Sequence, residues 1–260
     1  MRSEAPVIPT QILRVLSTIR THDVRALLMG GQACVLYGAA EYSRDLDLAV
    51  LATPEALPAL RAVFDALNAS VIAVPAFDLQ YLERGHAVHF SIPDDAASPL
   101  RVDVMSRLRG VDAFPLLWER RTTIRLSTGH GDAELLVDVM ALEDLVAAKK
   151  TQRDKDWPML RRLVDASYAA ARDFAVTEAQ VVFWFAELRS PEFLSELIDR
   201  YPEVAARSSR PAVRAALTND DMQEALAAEQ ALVMAEDRAY WAPLRRELEA
   251  FRHEARIARG

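Results

Sequence analysis

The first half of the chain alternates between hydrophobic spacings typical of helices and of strands. Residues 10–22 read TQILRVLSTIRTH, in which apolar residues recur at the spacing of one helical face. The apolar stretch VRALLMG that follows is short and stops at glycine, as is typical of a buried strand, and QACVLYGAAEY returns to helical spacing. The sequence therefore predicts a helix, a strand, a Gly-Gly turn and a second helix.

Further alternating stretches predict a small sheet. SRDLDLAVLA has the two-residue period of a half-buried strand, and PEALPALRAVFDALNA after it has the spacing of a helix. HAVHFSI and LRVDVM flank the loop-like PDDAASP, and RTTIRLS and ELLVDVM flank GHGD, so both pairs predict hairpins. From ALEDLVAAKK onward the strand signals stop. We expect an α/β part over 1–148 and a helical part over 149–260.

The composition is that of a globular protein, with 51% hydrophobic and 27% charged residues among 260. Charges interrupt the longest apolar stretches well before the roughly 20 residues that a membrane span needs, and the N-terminus lacks the apolar core of a signal peptide. The net charge of -7 is spread evenly along the chain, which argues against general DNA binding. We therefore expect a cytoplasmic protein without membrane contact.

Asp45 and Asp47 are the first candidates for chemistry. On an alternating strand they point the same way, with Cα atoms about 6.5–7 Å apart. Two carboxylates within about 4 Å repel by roughly 4 kcal/mol at a surface-like dielectric, so such a pair either spreads into water or holds a cation. Hard oxygen ligands favour Mg²⁺. Asp-x-Asp alone is also common at solvated strand edges, so the neighbouring sequence must decide.

Gly30 and Gly31 join a predicted strand to a predicted helix just upstream. Such a junction lets the backbone approach a ligand closely, and a helix N-terminus offers free N–H groups to a phosphate. A simple tight turn is the other interpretation. The stretch is neither a Walker loop nor a dinucleotide-binding fingerprint, because Gly-Lys-Ser/Thr and Gly-x-Gly-x-x-Gly are both missing.

The two motifs together resemble a known family. Gly30 and Gly31 precede Asp-Leu-Asp-Leu by 13 residues. This combination resembles the signature of the nucleotidyltransferase superfamily that includes DNA polymerase β, in which a Gly-Gly or Gly-Ser turn precedes Asp-x-Asp or Asp-x-Glu by about this distance. The resemblance covers residues 27–157 at most. It implies a small mixed β-sheet nucleotidyltransferase domain over 1–148, followed by an α-helical C-terminal domain over 149–260.

The resemblance also implies a metal site. Asp45 and Asp47, with a third carboxylate on a later strand, would hold two Mg²⁺ ions beside an NTP. The best match for the third carboxylate is Asp103 in the alternating stretch LRVDVM, where it would also act as general base. The remaining candidate carboxylates lie in loop-like sequence and match less well: Asp94, Asp95 and Asp112.

Four residues near the two motifs would contact the nucleotide, again by resemblance: Gly30, Gly31, Ser43 and Arg44. Ser43 lies where many bacterial members carry Thr or Ser ahead of the aspartates. Glu41 departs from the pattern, because many relatives carry arginine there. Either Arg44 replaces that arginine, or nucleotide affinity is weak.

Residues 142–157, LEDLVAAKKTQRDKDW, carry a second resemblance. They look like a helix pair of bacterial nucleotidyltransferase-like proteins, including those grouped with abortive-infection toxins and antibiotic modifiers. By that resemblance Lys149 or Lys150 would meet the triphosphate, and Arg153 or Lys155 would help. Lysines near a helix C-terminus also favour the helix dipole without any ligand, so the structural interpretation stays open.

The sequence thus predicts a Mg²⁺-dependent enzyme that transfers a nucleoside monophosphate from an NTP to an acceptor hydroxyl. The acceptor is either a small molecule of the antibiotic kind or a tRNA. The alternative is a nucleotide-binding or partner-binding protein that keeps this fold without turnover. Retention of three carboxylates favours the enzyme, whereas Glu41 and the lysines of open role favour the alternative.

Overall fold

The computed structural model describes residues 8–40, 42–94, 98–127 and 134–257. The chain forms two compact units, each assembled from separate stretches of sequence. The first consists of Met1–Leu36, Ala40–Leu145 and Ala242–Gly260, and the second of Tyr37–Ala39 and Val146–Trp241. The first unit contains the sheet, and the second is helical.

The strands of the first unit form one mixed sheet. In chain order they are β1 (Ala26–Met29), β2 (Leu46–Val50), β3 (Ser70–Val71), β4 (Val88–Ile92), β5 (Leu100–Met105), β6 (Thr122–Ser127) and β7 (Glu134–Val139). Across the sheet the order is β3-β4-β5-β2-β1-β7-β6. The pairs β1–β7 and β2–β5 are parallel, and the other neighbours are antiparallel. The predicted α/β class with a mixed sheet is confirmed.

Both predicted hairpins are confirmed, because β4 pairs with β5 and β6 with β7 in antiparallel register. The period of two in the sequence corresponds to a period of two in burial. Val88, Phe90 and Ile92 of β4 are buried, whereas the residues between them are half-buried. One face of these strands therefore packs in the core and leaves the other for polar residues.

Six helices are described up to residue 148: α1 (Thr10–Thr21), α2 (Gly30–Leu36), α3 (Leu57–Ala66), α4 (Leu79–Arg84), α5 (Phe114–Arg120) and α6 (Leu142–Ala148). The predicted first helix is confirmed as α1, whose apolar face is buried: Ile12, Val15, Leu16 and Ile19. On the core face of the sheet, Phe64 of α3 stacks on Phe90 of β4 with ring centroids 3.8 Å apart. Aromatic packing of this kind fixes helix α3 against the strands.

Strand β2 begins at Leu46, later than the sequence predicts. Ahead of it, two backbone carbonyls accept hydrogen bonds from side chains instead of from a neighbouring strand. Ser43 Oγ donates to the carbonyl of Asp45 at 3.1 Å, and Gln32 Nε2 donates to the carbonyl of Ser43 at 2.8 Å. Asp45 therefore lies immediately before the strand, and Asp47 lies within it.

The second unit is helical, with no strand in its described residues. A 3-10 helix at Asp154–Asp156 precedes the others: α7 (Trp157–Ala171), α8 (Glu178–Glu187), α9 (Pro191–Arg200), α10 (Pro202–Arg207), α11 (Pro211–Thr218) and α12 (Met222–Ile257). The last helix continues into the first unit from residue 242. In the described ranges, no helix has the length and apolar character that crossing a membrane requires.

Candidate active site

Three polar side chains form a row across neighbouring strands of the sheet. Asp47 of β2 lies opposite Asp103 of β5, and Asp103 lies opposite His89 of β4. Residues directly opposite each other on paired strands carry their side chains on the same face. All three are half-buried. The register therefore brings together two of the predicted carboxylates, Asp47 and Asp103.

The turn from β1 into α2 lies against Asp47. Gly30 has φ +66°, a left-handed conformation that glycine adopts without strain. A Cβ atom built on Gly30 would lie 1.8 Å from Asp47 Oδ2 and 2.7 Å from Asp47 Cβ. The backbone N–H of Gly31 donates to Asp47 Oδ2 over 3.4 Å. The first glycine is thus required here by the close approach of the carboxylate.

The second glycine, Gly31, likewise leaves room for a neighbouring side chain, that of Ser43. A Cβ atom on Gly31 would lie 2.4 Å from Ser43 Oγ. Ser43 in turn receives the hydrogen bond from Gln32, a buried residue that the sequence analysis does not identify. In the sequence, Gln32 could have been recognised as a single polar residue at the start of the apolar stretch QACVL. The Gly-Gly turn and the residues before β2 therefore form one hydrogen-bonded assembly.

Asp103 is bound by two basic side chains. Arg101 Nε donates to Asp103 Oδ1 at 2.8 Å, and Arg101 Nη2 donates to Asp103 Oδ2 at 3.0 Å. His89 Nδ1 lies 2.8 Å from Asp103 Oδ1. Burial by itself would raise the pKa of Asp103, but the hydrogen bonds from His89 and Arg101 outweigh it and lower that pKa below its usual value. These contacts therefore favour the ionised form of Asp103 and fix its position.

The charges of the other two predicted carboxylates, Asp45 and Asp47, also act on Arg101. Its hydrogen bond to Asp103 is the main cause that raises its pKa, and the negative charges of Asp45 and Asp47 add to the effect. Arg101 was missed by the sequence analysis. Its position two residues before Asp103 on an alternating strand, hence on the same face, was the signal that could have identified it.

The donor set fits a magnesium site made by two carboxylates. Asp45 is exposed and Asp47 is half-buried. Proteins commonly bind Mg²⁺ through one or two carboxylates together with substrate phosphates. In the described part of the chain, no group of three or more His, Cys, Asp or Glu side chains is arranged to hold a metal. Arg101 binds Asp103 at both oxygens.

The predicted phosphate-binding lysines lie in the second unit and form ion pairs there. Lys149 is buried, with Nζ 3.6 Å from Asp156 Oδ1. Lys150 Nζ lies 2.5 Å from Glu187 Oε1. Arg153 Nε pairs with Asp156 Oδ2 at 2.8 Å. These contacts account for the cations structurally, and their role toward a triphosphate stays a prediction.

The remaining candidates from the sequence have simple positions. Arg44 is exposed. Asp112 forms an ion pair with Arg120 at 2.8 Å. Asp94 lies just after β4, at the start of the loop that follows it. Asp95 and Glu41 lie outside the described residues.

No protein-family model and no curated protein matches the chain. Among solved structures it is similar to an antigenic nucleotidyltransferase-like protein from Paracoccidioides brasiliensis, with 12% identity and a TM-score of 0.43 over 76% of this chain and 90% of that one. It is similar to the antibiotic-resistance factor ANT(2'')-Ia in solution, with 14% identity and a TM-score of 0.36 over 76% and 92%. It is also similar to ANT(2'')-Ia in complex with adenylyl-2''-tobramycin, with 12% identity and a TM-score of 0.34 over 75% and 97%.

By name, these structures fall in the class that the Gly-Gly and Asp-Leu-Asp motifs resemble. Every TM-score is below 0.5.

Proposed function

We propose that the chain is a nucleotidyltransferase, which transfers a nucleoside monophosphate from an NTP to an acceptor hydroxyl and releases pyrophosphate. The observation that supports this most is the arrangement of Gly30, Asp47 and Asp103. Two carboxylates lie opposite each other in register, and a glycine turn leaves room for one of them. Mg²⁺ is commonly bound by one or two carboxylates together with substrate phosphates, and a glycine turn lets the backbone approach a ligand closely.

Asp45 and Asp47 are the residues that would hold Mg²⁺. When bound, the ion supplies neutralisation of the triphosphate and polarisation of the reacting oxygens. The family resemblance implies a second ion shared with Asp103. That arrangement requires Arg101 to release at least one Asp103 oxygen, since its guanidinium binds both.

The reaction balances without any further reactant. The acceptor oxygen forms a bond to the α-phosphorus as the bond from that phosphorus to the bridging β-phosphate oxygen breaks, and pyrophosphate leaves. The hydroxyl proton passes to Asp103, whose orientation Arg101 and His89 fix. Because its pKa is lowered, Asp103 is a weak base and needs a hydroxyl made more acidic by the site.

The acceptor is a small hydroxylated molecule or a tRNA. The net charge of -7 provides no general attraction for a polyanion, so a tRNA would need a local basic surface. A small acceptor would need only the charged sheet face around Asp47 and Asp103.

A second function is favoured by one observation. Both oxygens of Asp103 are bound by Arg101, which is the arrangement of a structural ion pair rather than of a free base. A protein with this site could bind an NTP without transferring it. The two functions agree on nucleotide binding and differ in pyrophosphate release.

Titration calorimetry with each NTP tests the proposal, with and without Mg²⁺. Wild type should bind at least one NTP only when Mg²⁺ is present, and Asp47→Asn should weaken that binding at least tenfold. The matched control is Asp65→Asn, which removes an exposed carboxylate from α3 and should leave affinity unchanged. No NTP binding, or equal binding by Asp47→Asn in Mg²⁺, would contradict a nucleotide site at these aspartates.

Turnover separates the enzyme from the binding protein. Total tRNA and a panel of hydroxylated antibiotics are incubated with the protein, Mg²⁺ and the preferred NTP, and the products are weighed by mass spectrometry. A nucleotide-sized mass increment on either class, with equimolar pyrophosphate, identifies the acceptor. NTP binding with neither increment nor pyrophosphate supports the second function.

A further inference from the structure

The helical unit contains a cavity of about 710 Å³, and the residues that line it are far in the sequence from Asp45, Asp47 and Asp103. Its wall includes the start of α7, the residues before α9 and one face of α12. Three arginines line it: Arg161, Arg162 and Arg189. Trp157, Pro158 and Leu226 supply an apolar part of the same wall. The volume is within the range of small-molecule sites, and the lining combines cations with an aromatic surface.

Arg189 has buried donors that no group of the described chain accepts. Its Nε and Nη1 atoms are buried and have no hydrogen-bond partner within the described residues. The guanidinium carbon lies 4.7 Å from the centre of the Trp157 ring, so stacking holds the group in place. Buried polar atoms are almost always hydrogen-bonded, and each exception calls for an explanation.

Two carboxylates lie near Arg189, and each pairs with another cation, although Glu187 Oε2 is itself buried without a hydrogen-bond partner in the described residues. Glu187 pairs with Lys150 at 2.5 Å, and Glu229 pairs with Arg210 at 3.0 Å. Burial, and then the positive charge of Arg210, lower the pKa of Arg189. Lys150 and Arg210 thus each form an ion pair, whereas Arg189 forms none in the described residues.

The other two arginines of the cavity keep donors available. Arg162 uses Nε for a backbone carbonyl of its own helix, that of Pro158 at 3.4 Å, and forms no ion pair in the described part of the chain. Arg161 Nε donates to Ser190 Oγ at 2.7 Å, and Arg161 also forms ion pairs with Asp165 at 3.7 Å and with Glu192 at 3.8 Å. Asp154 and Glu192 also line the cavity and are exposed, so its lining contains three cations and two carboxylates.

We propose that this cavity binds a phosphate monoester, whose phosphate accepts from Arg189 and Arg162 and whose organic part packs on Trp157. Guanidinium groups present paired donors that match phosphate oxygens. The site is separate from the nucleotide site of the proposed function, because it uses no residue of the first unit and no metal.

Titration calorimetry in Mg²⁺-free buffer with EDTA tests this site by itself. The probes are inorganic phosphate and adenosine monophosphate. Wild type should bind both at one site, with the monoester bound more tightly than inorganic phosphate. Arg189→Gln should weaken both at least tenfold. Arg214→Gln, which removes an exposed arginine of α11 in the same unit, should leave both unchanged.

Two further measurements keep the outcome decisive. Should Arg189→Gln fail to fold by circular dichroism, Arg162→Gln replaces it and should weaken the monoester three- to tenfold. Asp47→Asn should bind both probes as wild type does, which separates this site from the aspartates. Three results would overturn the phosphate site. Neither probe binds at millimolar concentration, or the arginine variants bind the probes as tightly as wild type does. The third is that acetate displaces the probes as well as phosphate does.

Discussion

Asp47 and Asp103 lie directly opposite each other on the parallel strands β2 and β5. Neighbouring strands are about 4.8 Å apart, so two carboxylates on one face at this spacing repel each other. Arg101 reduces that repulsion by binding Asp103 at both oxygens. In the proposed function, a cation held at Asp47 would add to this neutralisation.

Replacing Gly30 by alanine should disrupt Asp47. The new Cβ would lie 2.7 Å from Asp47 Cβ, so rotating the carboxylate alone would not remove the clash, and the backbone must move. We expect the free energy of unfolding to fall by about 2 kcal/mol or more, and Mg²⁺-dependent NTP binding to weaken at least tenfold. Urea denaturation and calorimetry measure the two effects.

Gly38→Ala is the matched control for that variant. Gly38 also has a positive φ, +75°, but a Cβ atom there meets nothing within 4 Å. It should therefore show only the conformational cost of about 1 kcal/mol and normal nucleotide binding. If both variants lose nucleotide binding alike, the close approach of Gly30 to Asp47 is not what the site requires.

Removing Arg101 should strengthen metal binding and impair transfer. Arg101→Gln takes away the charge that neutralises Asp103, so the aspartates should bind Mn²⁺ about tenfold more tightly, a change of about 1.4 kcal/mol. Turnover should fall because Asp103 loses its fixed orientation. Calorimetric titration with Mn²⁺ and a pyrophosphate-release assay report the two effects.

Arg125→Gln provides the comparison for Arg101, because Arg125 is exposed on β6 and pairs with Glu134 at 3.2 Å. Its Mn²⁺ affinity and turnover should equal those of wild type. Unchanged Mn²⁺ affinity in Arg101→Gln would mean that Arg101 does not share the field of the metal ligands.

The sequence predicted those features that depend on burial along one segment. The hairpin β4–β5 and the apolar face of α1 were predictable because their hydrophobic period reports directly which side is buried. The motif resemblance selected Asp47 and Asp103, which the register then places side by side. The hairpin and the helical face need no knowledge of distant segments, whereas the pairing of the two aspartates does.

Cross-strand partners could not be predicted in the same way. That His89 faces Asp103 depends on the register of β4 against β5, which the loop between them does not specify. The early bend at Asp45 depends on Gln32, whose side chain reaches a carbonyl 11 residues away in sequence. The sequence of residues 242–257 likewise does not indicate what this end of α12 contacts.

Asp156→Asn should destabilise the helical unit at neutral pH. The buried Asp156 carboxylate accepts from Thr151 Oγ1 at 2.6 Å and pairs with the buried Lys149. Neutralising it leaves a buried ammonium without its partner, and we expect a loss of about 3 kcal/mol in the free energy of unfolding. Urea denaturation at pH 7 measures the loss.

The same pair predicts a dependence on pH. Burial alone would raise the pKa of Asp156, but the hydrogen bond from Thr151 and the charges of Lys149 and Arg153 outweigh it and lower that pKa. Its stabilisation is therefore complete above the unfolded pKa of about 3.9 and is lost as pH falls through the lower folded value. The gap between wild type and Asp156→Asn should close below about pH 4, whereas Asp154→Asn, at an exposed carboxylate, should follow wild type throughout.

Phe251→Ala should loosen the C-terminal end of α12 from the rest of the first unit. The Phe251 ring lies 5.2 Å from that of Tyr81 and 5.6 Å from that of His86, between centroids. Glu247, one turn earlier, lies 2.9 Å from His86 Nε2 and also binds Arg84. Removing the ring should lower the free energy of unfolding by about 1–2 kcal/mol, because it deletes two aromatic contacts at a half-buried position.

Hydrogen exchange distinguishes this local contact from a general loss of stability. Amides of α4 should exchange faster in Phe251→Ala, since the ring contact with Tyr81 and the ion pair of Glu247 with Arg84 both act on that helix. Phe174→Ala removes a ring that is 75% exposed, and it should change neither stability nor exchange. Unchanged exchange of α4 in Phe251→Ala would show that residues after 241 do not stabilise the sheet-containing unit.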